Sequence, residues 1–314
     1  MLGEAGSPDG GEVAMRDPVK ARFEVLEERF RSYRGDRWLE CLHAGCRWTE
    51  GPAYFPAGRY LVFSDIPNDR ILRWDEATGA VGVFRQPAGY ANGHTVDRQG
   101  RLVSCEQGPR RVTRTEHDGS VTVLADSWDG KRLNSPNDIV ERADGSLWFT
   151  DPAYGIDSDY EGFRAESEIG ACYVYRLDPA SGAMRVVADD FDRPNGLAFA
   201  ADERTLYIVD SARRHLRVFA VTGDAALAGG EVFATCTAGS FDGIRLDDRG
   251  RIWAAAGDGL HCFDPDGTLL GKLHVPEAVA NFTFGGAKRN QLFICATSSV
   301  YSILVNFNGA RYPR

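Results

Sequence analysis

The sequence has no apolar run approaching the ~20 residues that a membrane helix needs. Its opening, MLGEAGSPDGGEVAMRDPVK, lacks the basic and apolar regions of a secretory signal. Its seven cysteines include no CxxC pair, and they read as buried, reduced thiols suited to the cytoplasm. There is no excess of basic residues either. The formal charge of −9 would repel phosphates, which argues against a nucleic-acid or anionic-membrane partner. No Ser-His-Asp order, phosphate-binding loop or dinucleotide fingerprint appears. Methionine is scarce, at three residues in 314.

Glycine, by contrast, is abundant at 35 residues, and short apolar runs recur throughout. That composition favours an all-β chain with frequent turns. The segments FPAGRYLVFSD, DRQGRLVSCE, RADGSLWFTD, AADERTLYIVD, DDRGRIWAAA and AKRNQLFICA each pair a turn with a strand. Their turn positions, Gly58, Gly100, Gly145, Glu203, Gly250 and Asn290, lie 40 to 58 residues apart, a period that marks a propeller or an array. A third apolar run follows each, and a fourth follows most. The spacing predicts a six-bladed β-propeller with four antiparallel strands per blade. Trp38 to Leu42 is placed to supply the strand that the last unit lacks. We therefore expect a propeller over residues 38–314 and an N-terminal tail and helix over 1–37. In the latter, residues 1–14 read as a disordered tail ahead of Met15. Arg16 to Ser32 carries Phe23, Leu26 and Phe30 at helical spacing behind Asp17-Pro18.

Aligning the units on their turns brings six polar residues into one slot. They are Glu50, Asn92, Asn137, Asn195, Asp242 and Asn281, each just ahead of a first strand. First strands line a propeller's channel, so the spacing predicts an inner ring at one mouth. The second strands return to the same face and end on Asp65, Glu106, Asp151 and Asp210, with Ala256 and Ala296 in the last two units. These form an incomplete outer ring of acids. Asn and Asp suit turns at strand starts, but Glu50 is a poor turn former and holds the same slot. Clustered carboxylates with no lysine or arginine among them call for a counter-charge. A divalent cation supplies it. Carboxylate and amide oxygens without His or Cys select a hard ion, and separate blades make a roomy, irregular site, which favours Ca2+ over magnesium.

The settings TEGP at Glu50, SPND at Asn137, RPNG at Asn195 and FDG at Asp242 resemble the gluconolactonase family, which includes the senescence marker protein regucalcin. The resemblance spans Trp38 to the C-terminus and is nearest to bacterial gluconolactonases, on the segments CEQGPRRVTR and TDPAYG. It implies a six-bladed propeller that hydrolyses sugar lactones, with metal ligands at Glu50, Asn195 and Asp242 and a substrate-side asparagine at Asn137. Animal members carry an arginine two positions before that asparagine. Here the residue is Ser135, so their sugar contacts do not transfer.

Under the lactonase reading the cation polarises the lactone carbonyl and Asp242 serves as general base; direct attack by Asp242 is the alternative. Asn137 and Asn92 donate to substrate oxygens, and His94, Glu106, Asp151 and Tyr154 line the mouth. The partner is a small lactone, and homo-oligomerisation is left open. Two other readings use the same ring: a phosphotriesterase-like hydrolase, or a non-catalytic binding propeller with a structural metal. DSDYEGFRAESE, Asp157 to Glu168, has acids at EF-hand spacing. It lacks flanking helices and reads as an acidic lid over the channel.

Overall fold

The computed structural model describes residues 17–223 and 225–310. Six antiparallel sheets follow one another along the chain, each built on a four-stranded blade and two of them widened by a fifth strand at the edge. Blade 1 is Thr49–Phe55, Tyr60–Asp65, Arg70–Asp75 and Val81–Arg85. Blade 2 is Ala91–Val96, Leu102–Glu106, Arg111–Thr115 and Val121–Ala125. Blade 3 comprises Ile139–Glu141, Leu147–Asp151, Cys172–Leu177 and Met184–Phe191, and blade 4 Pro194–Phe199, Thr205–Asp210, His215–Val221 and Leu227–Thr235. Ile244–Leu246, Ile252–Ala256, Gly259–Phe263 and Leu269–His274 form blade 5. Blade 6 takes Val279–Gly285, Gln291–Ala296 and Ser299–Leu304 from the end of the chain, and its fourth strand, Trp38–Ala44, from near the start. This last pairing closes the ring, and the first strands touch in succession around the axis.

Each blade is covered on both faces by its neighbours, so its second strand is buried throughout rather than on alternate residues. LWFTD, IWAAA and LVSCE are buried at every position. Aromatic pairs join adjacent blades, such as Trp148 with Phe199 at 5.2 Å and Tyr54 stacked on Phe293 at 5.4 Å. The turns between first and second strands need a left-handed residue. It is glycine in three blades (Gly100, Gly145 and Gly250) and Arg59, Glu203 or Arg289 in the others. All seven cysteines are free thiols. Among the described residues no helix is long and apolar enough to cross a membrane.

The N-terminal helical turn is confined to Glu28–Tyr33, a 3-10 helix. Residues ahead of it are extended. Val19–Lys20 pairs with Trp38 and Leu39 at the edge of blade 6, and Arg22–Val25 pairs with Gly271 to His274 at the edge of blade 5. Open sheet edges offer backbone partners that outcompete a lone amphipathic helix in water. Phe30 anchors the segment, fully buried with its ring 5.9 Å from Trp253. The tail read over residues 1–14 lies outside the described residues.

Candidate active site

The inner ring exists because four first strands are bulged where they begin. The register slips between Glu50 and Ala53, Ala91 and His94, Pro194 and Leu197, and Val279 and Asn281. A bulge re-aims the side chain it contains, and Glu50, Asn92, Asn195 and Asn281 lie at these slips. In blades 3 and 5 the first strand starts only at Ile139 and Ile244, so Asn137 and Asp242 sit on the segment leading in. A glycine follows four of the six ring residues and is required by close approach to the next blade. A Cβ on Gly51 would meet the Asn92 carbonyl oxygen at 2.0 Å, one on Gly93 the Asn137 oxygen at 2.3 Å, and one on Gly196 the Asp242 oxygen at 2.3 Å. Gly243 is pressed in the same way against the Asn281 side chain, at 2.1 Å. Asn281 in turn donates its Nδ2 to Glu50 Oε2 at 3.0 Å. The six ring residues are therefore neighbours in sequence around the channel mouth.

Ring charge is not balanced within the ring. Glu50 is 3% exposed, and burial, then the nearby Asp138 charge, push its carboxyl well above the usual range. Asp242 is partly buried and is also raised well above the usual range, by burial first and then by Glu50, Asp138 and Glu161. Asn195 donates Nδ2 to Ser211 Oγ at 3.1 Å, which leaves its oxygen as the atom available to a cation. Asn92 Oδ1 is buried with no hydrogen-bond partner. The Tyr154 phenol bonds with Ser211 and Asn195, and burial followed by Asp242 raises it to about 12. Among the described residues no three His, Cys, Asp or Glu side chains gather as a metal cluster. The set here has two ring carboxylates, with amide oxygens beside them. Two mutually repelling carboxylates and an orphaned amide oxygen suit a hard cation.

Asp138 and Arg245 were not foreseen. Asp138 lies in the slot where four other blades have glycine, and that departure in SPND was the available signal. It is 1% exposed, accepts from Ile139 N, and lies 3.5 Å from Arg245 Nη1. Arg245 thus partly offsets the inner carboxylates from deeper in the channel.

The outer acids are placed differently from the inner ones. Asp65 accepts from Arg47 N at 2.9 Å, Asn68 Nδ2 at 2.8 Å and Arg70 Nε at 2.9 Å. Asp151 accepts from Asn134 N and Ser135 N, both at 2.8 Å. Asp210 accepts from Asp192 N, Arg193 N and Arg213 N. Each fixes the backbone two or three residues ahead of a ring residue. Glu106 is held by Arg85, Arg111 and Thr113 at 2.7 to 2.8 Å. His94 is equally committed. Ser64 Oγ donates to the Asn92 carbonyl and therefore accepts from His94 Nε2 at 2.8 Å, while Nδ1 meets Ser104 Oγ at 2.8 Å. Burial, with Arg85 nearby, lowers this imidazole to about 3, so it is neutral.

The 157–168 loop crosses the mouth. Tyr160 lies under the Arg47 guanidinium at 4.8 Å and Phe163 meets Tyr90 edge-on at 5.2 Å. Its acids diverge instead of converging on one point: Asp157 pairs with Arg193, Asp159 accepts from Arg164 N, and Glu168 accepts from Arg132 N. Glu161 is partly buried, raised by burial to about 7, and its charge reaches Asp242.

Residues 48–298 match the family described as SMP-30/Gluconolactonase/LRE-like region. The chain is 30% identical to a gluconolactonase of Zymomonas mobilis, over 84% of this chain and 80% of the relative. It is 30% identical to a pentonolactonase of Haloferax volcanii, over 81% and 82% respectively. The structure of a gluconolactonase from Xanthomonas campestris superimposes with a TM-score of 0.87 at 37% identity, covering 93% of this chain and 98% of that one.

Proposed function

The chain belongs to the SMP-30/gluconolactonase/LRE-like family, and from that premise we propose that it is a lactonase that opens sugar lactones such as gluconolactone to the acid. Glu50, Asn195 and Asp242 hold a divalent cation, and calcium fits their irregular oxygen set best. When bound, that cation supplies Lewis acidity toward the lactone carbonyl. Asp242 accepts a proton from the attacking water at its carboxylate. As the ring C–O bond breaks, that proton passes to the departing alkoxide, which becomes the hydroxyl of the product acid. Glu50 holds charge and is itself braced by Asn281. Asn137 and Asn92 orient the substrate by hydrogen bonds to its oxygens, and Tyr154 fixes the edge of the site beside Asp242. Glu106, Asp151 and His94, whose polar atoms are engaged within the protein, act on the substrate only by setting the backbone around it.

The observation that supports this reading most is the pair of carboxylates, Glu50 and Asp242, set into a closed ring of amides that offers no positive side chain. The test is gluconolactone turnover by the wild type and by Glu50→Gln, with and without a chelator. Chelation should abolish wild-type turnover and calcium should restore it, whereas Glu50→Gln should need far more calcium. Full activity of chelated protein, or of the variant at trace calcium, would falsify the metal-dependent mechanism.

A further inference from the structure

A cavity runs from Pro52 and His94, two residues beyond Glu50 and Asn92 on their strands, to the end of the central channel opposite the ring and its lid. Its volume is about 640 Å³, within the size range of small-molecule sites. Phe55, Phe199 and Phe284 form apolar walls, and Arg98, Arg245 and Glu141 face into it. Glu141 is 5% exposed and its Oε2 has no hydrogen-bond partner, with the Arg98 guanidinium 3.9 Å away. Asp97, also in the lining, is neutralised by Arg101 at 2.8 Å. The lining thus carries three arginines, Arg98, Arg245 and Arg289, against two carboxylates, Asp97 and Glu141, with one acceptor left unsatisfied.

We propose that this cavity is a binding site for a small polyhydroxylated carboxylate. Arginine guanidinium groups take a carboxylate, Glu141 takes a hydroxyl that its orphaned oxygen can accept from, and the phenylalanine faces take the C–H edges of a sugar-acid skeleton. The proposal rests on the lactonase reading only in naming the ligand, because such a compound is the product of that reaction. Arg245 forms the link between the two ends of the channel. It lines the far cavity and lies 3.5 Å from Asp138, whose charge is felt by Glu50. An occupant that draws on Arg245 weakens its hold on the inner carboxylates, so product at the far end acts back on the reaction without competing for the ring.

The experiment is calorimetric titration of sodium gluconate, with sorbitol as the uncharged control, into the wild type, Asp242→Ala and Arg98→Gln. Gluconate should bind the wild type and Asp242→Ala alike, bind Arg98→Gln at least about tenfold more weakly, and sorbitol should give no heat. Glu141→Gln should weaken gluconate as well, without reversing its preference over sorbitol. Gluconate binding that disappears in Asp242→Ala and persists in Arg98→Gln would place the ligand in the ring and overturn the inference. Equal binding of sorbitol, or no gluconate binding by the wild type, would overturn it too. These are binding readouts, so absence of lactone turnover would instead count against the lactonase reading.

Discussion

The inner and outer rings use the same kinds of residue within the same blades, yet they differ in what surrounds them. Outer acids are saturated: Asp65, Asp151 and Asp210 take backbone N–H groups, and Glu106 takes two arginines. Inner acids lie beside one another, Glu50 buried and Asp242 partly so, and the positive side chain that faces them is Arg245, one layer deeper. A carboxylate whose lone pairs are met by the chain stabilises the fold. One whose charge is unmet costs stability unless something outside the chain meets it. The contrast separates scaffold from site without reference to any relative.

The sharpest way to break that contrast is to neutralise one acid from each ring. Asp242→Asn should lower lactone hydrolysis by about a thousandfold, the scale of several kcal/mol of transition-state stabilisation. In cation-free buffer it should unfold at the same or higher urea concentration than the wild type, because one of two repelling carboxylates is gone. Asp210→Asn should do the reverse. Asp210 is fully buried and bonded to three backbone N–H groups and the Arg213 side chain, so the loss should be about 3 kcal/mol of stability. If both variants lose stability equally, the two rings are not distinct.

A smaller effect sharpens the same division. A ligand that binds only the folded state at a hundred times its Kd adds about 2.7 kcal/mol. Calcium should raise the wild-type melting temperature on that scale. The rise should vanish in Glu50→Gln and survive in Asp151→Asn, because only the former loses a ring oxygen charge. A calcium shift that survives in Glu50→Gln would move the cation away from the ring.

Much of this was legible in the sequence, for physical reasons. The six-fold repeat is written in turn chemistry, and turns such as DRQG and RADG fix their glycine by a left-handed backbone. The inner ring was legible because repetition placed six polar residues in one slot. What stayed hidden was whether a given acid has a partner. Asp151 and Asp242 look alike in a string of letters, and only the fold shows Asn134 and Ser135 turning their N–H groups onto the first. Arg245 was hidden because it lies one strand residue deeper than the ring and answers an acid, Asp138, that breaks the Asn-Gly pattern. The extended course of residues 19–25 was hidden because it depends on sheet edges supplied by distant segments.

The smallest expected effect lies within the outer ring itself and depends on one arginine. Asp65 and Asp151 are both fully buried and both clasp backbone N–H groups. Asp65 also has Arg70, at 2.7 Å. Burial alone would raise Asp65, but the bonds from Asn68, Arg47 and Arg70 outweigh it and hold the carboxyl below its ordinary value. Asp151 has no such ion pair, and burial raises it to about 7 against two backbone bonds. The signs of the pH dependence are therefore opposite. Asp65 contributes stability that is present above its unfolded value and lost as the pH falls through its lowered folded value. Asp151 contributes stability that is present below about pH 4 and lost as the pH rises toward about 7. Urea unfolding of the wild type, Asp65→Asn and Asp151→Asn should be followed from acid to neutral pH. The gap between wild type and Asp65→Asn should open as the pH rises from the acid end, whereas the gap for Asp151→Asn should narrow over the same range. Two gaps that open together would mean that backbone N–H groups alone keep Asp151 ionised, and that Arg70 makes no difference between the blades.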